Sequence, residues 1–438
     1  MPATPSLDER RDFLHRCTRC SQCKFVPSPK SQRHASACPS IDFGQYHAFS
    51  GGGQLIMAAA LQEGRVEATP ALVDAVSACT MCGGCDVSCK VNFAETVEPL
   101  DSLYALRAHL AREGHVPPAW RTALERLRHS GNAAGHPRAD RSRWADGLPL
   151  RRRDEGADVL LHVGSTLAHD TARHAALRAV VHALGHAGLR ATHLGQDEGS
   201  SGSLAFDLGF VDDARAFAQK LADAVTASGV ATLVTFSAPA LAAFRGVYPR
   251  LGVSFGTPAR PVRVLHITEY VQELVEAGRL ALQPVASPTL GTVAYHDACR
   301  LGRLSEPWQP HDTALDRAMG GLYTSRAPEA LRFGHGGCYE APRALLRAMG
   351  LQVHELERHH EASYCCGACG GVRDTQPEAA ALAARHRLAE LQDTPARTLV
   401  SACSGCSRHL GDHTGADAQV LDLLDLLARA VQPAPVPA

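Results

Sequence analysis

The placement of 15 cysteines constrains this 438-residue sequence more than any other feature. Eight lie before residue 90, seven lie after residue 298, and none lies between. The stretch from Met1 to Arg11 is polar and charged, so no secretory signal is predicted and a cytoplasmic location is expected. In a reducing compartment disulfides are rare, and closely spaced cysteines usually hold metal or perform redox chemistry. The cysteines therefore predict a metal-binding or redox protein.

Composition excludes two classes of partner. Lys and Arg number 44 and Asp and Glu number 45, so the chain carries almost no net charge and no global field for nucleic acid. The sequence has no apolar run near the roughly 20 residues that a membrane-spanning helix needs. The length favours two or three domains.

The N-terminal cysteines form two triplets, each with the spacing C-x2-C-x2-C, and two further single cysteines. Such a triplet can surround one iron–sulfur cubane, and in two-cluster ferredoxins the fourth thiolate comes from the other motif. The pattern predicts two 4Fe–4S clusters. One is assigned to Cys17, Cys20, Cys23 and Cys89, and the other to Cys79, Cys82, Cys85 and Cys38.

Zinc held by four thiolates at each site is the alternative, although zinc sites usually use paired C-x2-C motifs. The first motif departs from the usual ferredoxin spacing, because 14 residues separate Cys23 from Cys38. This gap is rich in Pro and Ser and predicts a surface loop. The run Gly51-Gly52-Gly53 is interpreted as a turn, since it lacks the features of a phosphate-binding loop.

The N-terminal unit is predicted to occupy residues 1–116 and to end in a helix at Leu100–Glu113. Residues 117–157 are rich in Arg, Pro and Gly and are predicted to be a linker.

The remainder of the chain reads as two copies of one α/β unit, at 158–290 and 291–438. Short apolar runs predict buried strands, and the segments between them predict helices. The predicted strands are Val159–Val163, Thr232–Val234, Thr292–His296 and Thr398–Val400, and the predicted helices include Thr171–Ala187 and Glu378–Leu391.

Alignment of the two copies pairs serine or alanine in the first with cysteine in the second, and places an insertion near 304–337 of the second. Serine resembles cysteine in shape but lacks the soft thiolate that iron–sulfur clusters select. The first copy therefore reads as a unit without metal ligands. The pairs are Ser165 with Cys299, Ser200-Ser201 with Cys365-Cys366, Ser237 with Cys403, and Ala240 with Cys406.

The motifs around Cys299, Cys365-Cys366-Gly367 and Cys403-x2-Cys406 resemble the cysteine-rich CCG module. That module occurs in heterodisulfide reductases and in the iron–sulfur subunits of glycolate oxidase and anaerobic glycerol-3-phosphate dehydrogenase. The resemblance implies a helical ferredoxin-like domain with two 4Fe–4S clusters, followed by two tandem α/β CCG modules of which the first is degenerate. It also implies a third iron–sulfur cluster, for which a noncubane type is one alternative. Its ligands would be Cys299, Cys365, Cys366, Cys403 and Cys406.

The function predicted on this basis is an iron–sulfur electron-transfer subunit of an oxidoreductase complex. Electrons would pass between a flavoprotein, either a dehydrogenase or an electron-transfer flavoprotein, and a second acceptor such as quinone. The expected location is cytoplasmic, at the periphery of the inner membrane through a membrane or quinone-reactive partner. Two alternatives stay open: reduction of a disulfide or other organic substrate at the C-terminal cluster, and a redox sensor or scaffold without turnover.

Several residues near these motifs are weighed separately. Cys338 and Cys369 do not match the five-cysteine pattern and read as buried small residues, although Cys369 could be a redox-active neighbour. His296 and Asp297 precede Cys299 and could donate a proton or hydrogen bond near the cluster, or serve in packing. No ligand spacing singles out the histidines His311, His335, His359 and His360.

Overall fold

The structure is a computed structural model, and it describes residues 6–93, 97–152, 155–287, 290–308, 315–318, 322–325 and 334–431. Within these ranges no helix is both long and apolar enough to cross a membrane.

The N-terminal part is helical. Proline at the first turn begins four of its helices, and the Ser50 and Thr69 side chains accept hydrogen bonds from backbone N–H groups of the helices that follow them. The helix predicted at Leu100–Glu113 is confirmed within one residue. The helices are α1 (Arg11–Arg16), α2 (Pro39–Gly44), α3 (Gly51–Gln62), α4 (Pro70–Ser77), α5 (Gly84–Phe93), α6 (Pro99–Arg112) and α7 (Pro118–Ser130).

The segment 117–157 differs from the predicted linker, because it contains α7 and a 3-10 helix at Arg138–Ala145. Trp120 and Trp144 are buried against the neighbouring elements. The composition of this segment is polar on average, but its few large apolar residues fall where they can pack. That placement of apolar residues fixes the segment against the rest of the protein.

Two four-stranded parallel sheets follow, and they share one strand order. The first sheet has the strand order β2-β1-β3-β6, and the second has β10-β7-β11-β12. In each sheet the strand that comes first along the chain lies between two others: β1 pairs with β2 and β3, and β7 pairs with β10 and β11. Every predicted strand is observed, with ends shifted by at most one residue. The strands are β1 (Val159–His162), β2 (Ala191–His193), β3 (Thr232–Thr235), β4 (Gly256–Thr257), β5 (Arg260–Pro261), β6 (Arg263–His266), β7 (Thr292–Tyr295), β8 (Leu315–Ala318), β9 (Leu322–Ser325), β10 (Gln352–Glu355), β11 (Thr398–Ser401) and β12 (Gln419–Asp422).

Helices connect the parallel strands, as such crossovers require. The predicted helices at Thr171–Ala187 and Glu378–Leu391 are observed, the first beginning with a 3-10 turn at Thr171–Arg173. The helices are α8 (Gly164–Ala168), α9 (His174–His186), α10 (Ser203–Asp207), α11 (Val211–Ala227), α12 (Ala238–Ala242), α13 (Tyr248–Arg250), α14 (Ile267–Glu276), α15 (Glu340–Ala348), α16 (Val372–Thr375), α17 (Pro377–Gln392), α18 (Ser404–Gly411) and α19 (Leu423–Ala430).

Alternating residues of the first sheet enter two different cores. Val159 and Leu161 share one apolar cluster with the second sheet, including Val293 and Val400. Leu160 instead packs in a cluster with the N-terminal helices. Side chains of a strand point to opposite faces, so this sheet is covered on both sides and holds the N-terminal part and the second sheet together.

The insertion predicted near 304–337 falls between β7 and β10, where the antiparallel pair β8–β9 lies. The rest of that segment from 309 to 333, including His311, lies outside the described residues. The helical N-terminal part and the two parallel sheets confirm the predicted mixed architecture.

Candidate metal centres

The first group of thiols gathers Cys17, Cys20, Cys23 and Cys89. The loop from Cys17 to Cys23 turns sharply, because Arg19 and Ser21 adopt left-handed backbone conformations with φ of 59° and 68°. Burial, the Asp86 carboxylate and the other three thiols of the group raise the pKa of Cys89. The predicted partners Cys17, Cys20, Cys23 and Cys89 are therefore neighbours in space.

The second group gathers Cys38, Cys79, Cys82 and Cys85. Burial and the neighbouring Cys79 raise the pKa of Cys38 well above its ordinary value, and burial raises that of Cys79 to about 11. Cys38 lies at the N-cap of α2, Cys85 lies in the first turn of α5, and Cys79 and Cys82 precede that helix.

The 14-residue gap before Cys38 is folded back on itself. Phe25 and Ser36 form an antiparallel bridge, and the Ala37 N–H donates to the Lys24 carbonyl at 2.8 Å. This pairing returns the chain to Cys23 and delivers Cys38 to the second group. The predicted surface loop also docks on the C-terminal part, since His34 Nε2 lies 2.7 Å from an Asp393 carboxylate oxygen.

The run Gly51-Gly52-Gly53 is the first turn of α3, so the predicted turn was wrong. The helix passes between the two thiol groups. A Cβ atom on Gly51 would lie 2.9 Å from the Cβ of Cys85, and the Gly52 N–H donates to Cys23 Sγ at 3.2 Å. Three consecutive glycines were the sequence signal for this close approach, because only glycine leaves room for it.

The third group forms at the carboxyl ends of β7 and β11, where ligand sites of parallel sheets usually lie. Cys299 follows β7, and Cys403 and Cys406 follow β11. Cys366 Sγ and Cys406 Sγ are 3.2 Å apart. Hydrogen bonds with the side chains of Cys365 and Cys406 lower the pKa of Cys366 to about 6. The five cysteines in the predicted pattern thus lie together, and all are buried: Cys299, Cys365, Cys366, Cys403 and Cys406.

Cys369 also joins this group, which the sequence pattern left out. A hydrogen bond with Cys299 lowers the pKa of the Cys369 thiol to about 7. The sequence feature that could have included Cys369 in the third group is its position three residues after Cys366. Cys338 lies elsewhere, with its sulfur 3.7 Å from the Thr268 hydroxyl, and remains a buried structural residue.

The second and third groups touch. Cys82 packs against Cys299 and Cys365 in one buried cluster, and the Cys82 thiol hydrogen-bonds with that of Cys365. Arg303 lies beside this contact: its Nε donates to the Cys82 carbonyl at 2.6 Å, and its guanidinium faces the Cys82 and Cys299 sulfurs. A buried cation there favours negative charge on the sulfurs.

His296 and Asp297 have different surroundings. Arg387 Nε donates to His296 Nδ1 at 2.9 Å, so the neutral imidazole carries its hydrogen on Nε2. A ring nitrogen of His296 lies within 4.8 Å of the Cys366 and Cys406 sulfurs, and Nε2 has no hydrogen-bond partner among the described residues. Asp297 instead forms two hydrogen bonds of 2.7 Å with Arg343, a structural role.

The other weighed histidines that the structure describes, His335, His359 and His360, lie outside the three cysteine groups. His335 Nε2 pairs with Glu361 at 3.1 Å. His359 and His360 lie side by side with their Nδ1 atoms 2.7 Å apart, near Glu355.

The donor set fits iron–sulfur clusters. All 15 cysteines are free thiols, and no disulfide links any of them. Thirteen of them lie in the three groups in the combinations that two cubanes and a five-thiolate cluster require, and Cys369 adds a further thiol to the third. Soft, closely spaced thiolates select iron–sulfur clusters and zinc over hard cations.

Comparison with known proteins assigns both cysteine-rich regions. Residues 13–93 match the 4Fe-4S dicluster domain, and residues 332–411 match the cysteine-rich domain called CCG. The chain thus carries regions that match these two domains, and it resembles iron–sulfur oxidoreductases that contain CCG domains. The expected resemblance to this family is confirmed.

Three relatives show the range of proteins with this arrangement. One of the subunits of a dihydromethanophenazine:CoB–CoM heterodisulfide reductase from Methanosarcina barkeri is 27% identical over 448 residues, 98% of each chain. A probable membrane-anchored ferredoxin from Chromohalobacter salexigens is 28% identical over 345 residues, 78% of this chain and 45% of the relative. An EtfAB:quinone oxidoreductase from Syntrophomonas wolfei is 25% identical over 376 residues, 81% of this chain and 46% of the relative. The chain therefore spans about half the length of the last two relatives.

Proposed function

We propose that this protein is an electron-transfer subunit that carries three iron–sulfur clusters in a line. The observation that supports the line is the contact of Cys82 with Cys299 and Cys365, which joins the second thiol group to the third. Residues 1–116 would carry two 4Fe–4S clusters, 158–290 a CCG-like unit without a cluster, and 291–438 the CCG unit with the third cluster. Residues 117–157 would connect the first two as a folded segment.

The proposed ligands are Cys17, Cys20, Cys23 and Cys89 for the first cluster, and Cys38, Cys79, Cys82 and Cys85 for the second. Cys299, Cys365, Cys366, Cys403 and Cys406 would hold the third. Clusters of this kind supply reversible one-electron storage. The chain holds the thiolates at fixed spacing, buries those of the third group, and places the guanidinium groups of Arg303 and Arg300 near Cys299 at the junction.

The two ends of the line differ in exposure, which supports a direction for partner contacts. Cys20, in the first group, is exposed, whereas the five cysteines proposed for the third cluster are all buried. We propose that a flavoprotein, either a dehydrogenase or an electron-transfer flavoprotein, docks at the loop around Cys20. Electrons would pass on to a second acceptor such as quinone on a membrane partner. The relative named EtfAB:quinone oxidoreductase supports this choice of partners, and a peripheral position at the inner membrane follows from them.

Anaerobic purification with iron analysis tests the cluster assignment. We expect about 12 iron atoms per chain, the sum of three four-iron clusters. Cys366→Ser should remove the paramagnetic signal of the third cluster and leave both cubane signals. Cys338→Ser is the matched control, because Cys338 is an equally buried cysteine outside the three groups, and it should retain all three signals. Stoichiometric zinc without iron would contradict the proposal.

Docking at Cys20 is tested separately by reduction kinetics. Arg19 flanks Cys20 in the same loop, so Arg19→Glu should slow reduction of the holoprotein by an electron-transfer flavoprotein. Its reduction by dithionite should stay unchanged. Arg397→Glu, on an exposed position far along the chain, is the control. Equal rates for all three proteins would place the docking surface elsewhere.

A further inference from the structure

Two adjacent histidines and a glutamate lie together outside the three thiol groups. Glu355 is the last residue of β10, and His359 and His360 follow it four and five residues later. One ligand atom from each of these residues lies within 4.8 Å of the other two, and all three residues are half-buried. Imidazole nitrogen and carboxylate oxygen are donors that zinc and related d-block cations bind in proteins. We call Glu355, His359 and His360 the His–Glu group.

The two imidazole rings of the group approach each other through the same nitrogen. His359 Nδ1 and His360 Nδ1 are 2.7 Å apart. Two nitrogens that bind one tetrahedral zinc ion at about 2.0 to 2.1 Å lie roughly 3.3 Å apart, so separating the rings by about 0.6 Å would admit an ion. Without an ion, one ring has to donate a proton to the other across this short gap.

Each ligand is oriented by a further residue. His360 Nε2 lies 3.1 Å from a Glu340 carboxylate oxygen, which leaves Nδ1 as the nitrogen with a lone pair. Both oxygens of Glu355 accept hydrogen bonds of 2.7 Å from Arg343, which fixes the plane of that carboxylate while each oxygen keeps a second lone pair. Metal-binding histidines and carboxylates are normally held by partners of this kind.

The backbone is turned so that both rings reach the same place. His359 is extended, with φ of −127° and ψ of 172°, and adjacent side chains of an extended chain point to opposite sides. His360 instead has a left-handed backbone, with φ of 53°, which non-glycine residues adopt mainly where the surrounding structure requires it. The Asp297 carboxylate accepts the His360 N–H at 2.8 Å, and the Tyr339 ring packs 5.2 Å from the imidazole. These contacts hold the turn in place.

The charged groups around the His–Glu group nearly cancel one another. They are the carboxylates of Asp297, Glu340 and Glu355 and the cations of Lys30, Arg343 and Arg347. Arg343 is shared between two of the carboxylates, so its charge is already offset. A dication would therefore enter surroundings of almost no net charge, and its affinity would come from the three ligand atoms.

From this geometry we propose that the His–Glu group binds one divalent d-block cation of the zinc type. An oxygen of Glu355 and the Nδ1 atoms of His359 and His360 would be the protein ligands, and water would complete the shell on the exposed side. The ion would replace the proton between the two rings and tie the end of β10 to the turn that leads to Cys365. The inference goes beyond electron transfer, because it uses none of the cysteines proposed to hold clusters.

Zinc binding to the anaerobic holoprotein tests the proposal, after loosely held metal has been removed on a chelating resin. Calorimetry with Zn²⁺ should show one saturable site per chain. His359→Gln and His360→Gln should each weaken this binding roughly tenfold or more, since even the loss of a residue that orients a ligand has an effect of that size. His354→Gln is the matched control, because His354 is an exposed histidine on the same strand, and it should leave binding unchanged.

X-ray absorption at the zinc edge identifies the atoms around the bound ion. We expect nitrogen and oxygen neighbours at about 2.0 to 2.1 Å and no sulfur at about 2.3 Å. Iron content and the cluster signals, measured on the same samples, should be the same in all four proteins, so a failed His–Glu site is distinguished from a failed cluster assignment.

Three results would overturn the proposal. One is the absence of saturable zinc binding. Another is a zinc shell made of sulfur that neither histidine variant changes, because the ion would then lie on thiols. The third is equal weakening by His354→Gln and His360→Gln, which would indicate adventitious binding to surface histidines only.

Discussion

The hydrogen bond that His296 can donate offers a sharp test of the third centre. Arg387 holds Nδ1 as an acceptor, so the hydrogen of the neutral ring is on Nε2, and a ring nitrogen of His296 lies within 4.8 Å of the sulfurs of Cys366 and Cys406. Burial and the Arg387 cation lower the pKa of His296 to about 3, so the ring is neutral at ordinary pH. A donor of this kind stabilises the reduced cluster more than the oxidised one, because reduction adds negative charge to the sulfurs.

His296→Leu should therefore lower the reduction potential of the proposed third cluster. A differential hydrogen-bond energy of about 1 to 1.4 kcal/mol corresponds to roughly 40 to 60 mV for a one-electron couple. Potentiometric titration followed by electron paramagnetic resonance measures the shift, and the two cubane potentials should stay in place. His296→Gln keeps a donor and an acceptor and should restore most of the potential. His354→Leu, on an exposed position of β10, is the control.

A potential that moves by less than about 10 mV in His296→Leu would refute this reasoning, provided that iron content is unchanged. The same conclusion would follow if His296→Gln and His296→Leu shifted the potential equally. In that case the imidazole would act by packing alone.

Three further predictions concern buried charge. Glu390→Gln should lower the free energy of unfolding by about 3 to 5 kcal/mol in anaerobic urea titration, since Arg358 and Arg387 lose their buried counter-ion. Glu378→Gln, at an exposed position, is the control and should leave the free energy of unfolding almost unchanged. Arg107→Met should cost about 3 kcal/mol or more in the same assay, because Arg107 donates to four backbone carbonyls from three parts of the chain; a loss under about 1 kcal/mol would contradict this. Burial lowers the pKa of His266 to about 3, so the folded protein holds this imidazole in its neutral form. The free energy of unfolding therefore falls as pH drops from about 6.5 toward 3, because the unfolded chain binds a proton that the folded protein does not. Relative to His266→Asn, the unaltered protein should lose about 2 kcal/mol of unfolding free energy between pH 7 and pH 5, and parallel pH profiles would contradict this.

Local spacing determined much of what could be predicted. Triplets of cysteine three residues apart can converge on one cluster, since each spacer keeps neighbouring Cα atoms within about 10 Å even when the chain is extended. The apolar runs at Val159 and Thr292 are short, which favours buried strands over helices, and both strands are observed. The duplication was visible because both copies keep the same succession of strands and helices.

Contacts between distant residues decided the rest. The hairpin between Lys24 and Ala37, the packing of Trp120 in the segment read as a linker, and the approach of Cys369 to Cys299 all depend on partners remote in sequence. The hydrophobic periodicity of the sequence does not predict these three contacts, because the pairing of distant residues depends on how whole elements pack rather than on local propensity.

The sequence by itself determined which side chains can bind soft metal and which of two lobes lacks them, since ligand chemistry resides in residue type. Only the tertiary structure decided that Cys82 meets Cys365 and that the serines of the lobe without cysteines face a cavity beside Cys406. Both depend on how two sheets and a helical domain are set against each other. That arrangement comes from burying apolar faces, such as those of Leu160 and Leu161, on opposite sides of one sheet.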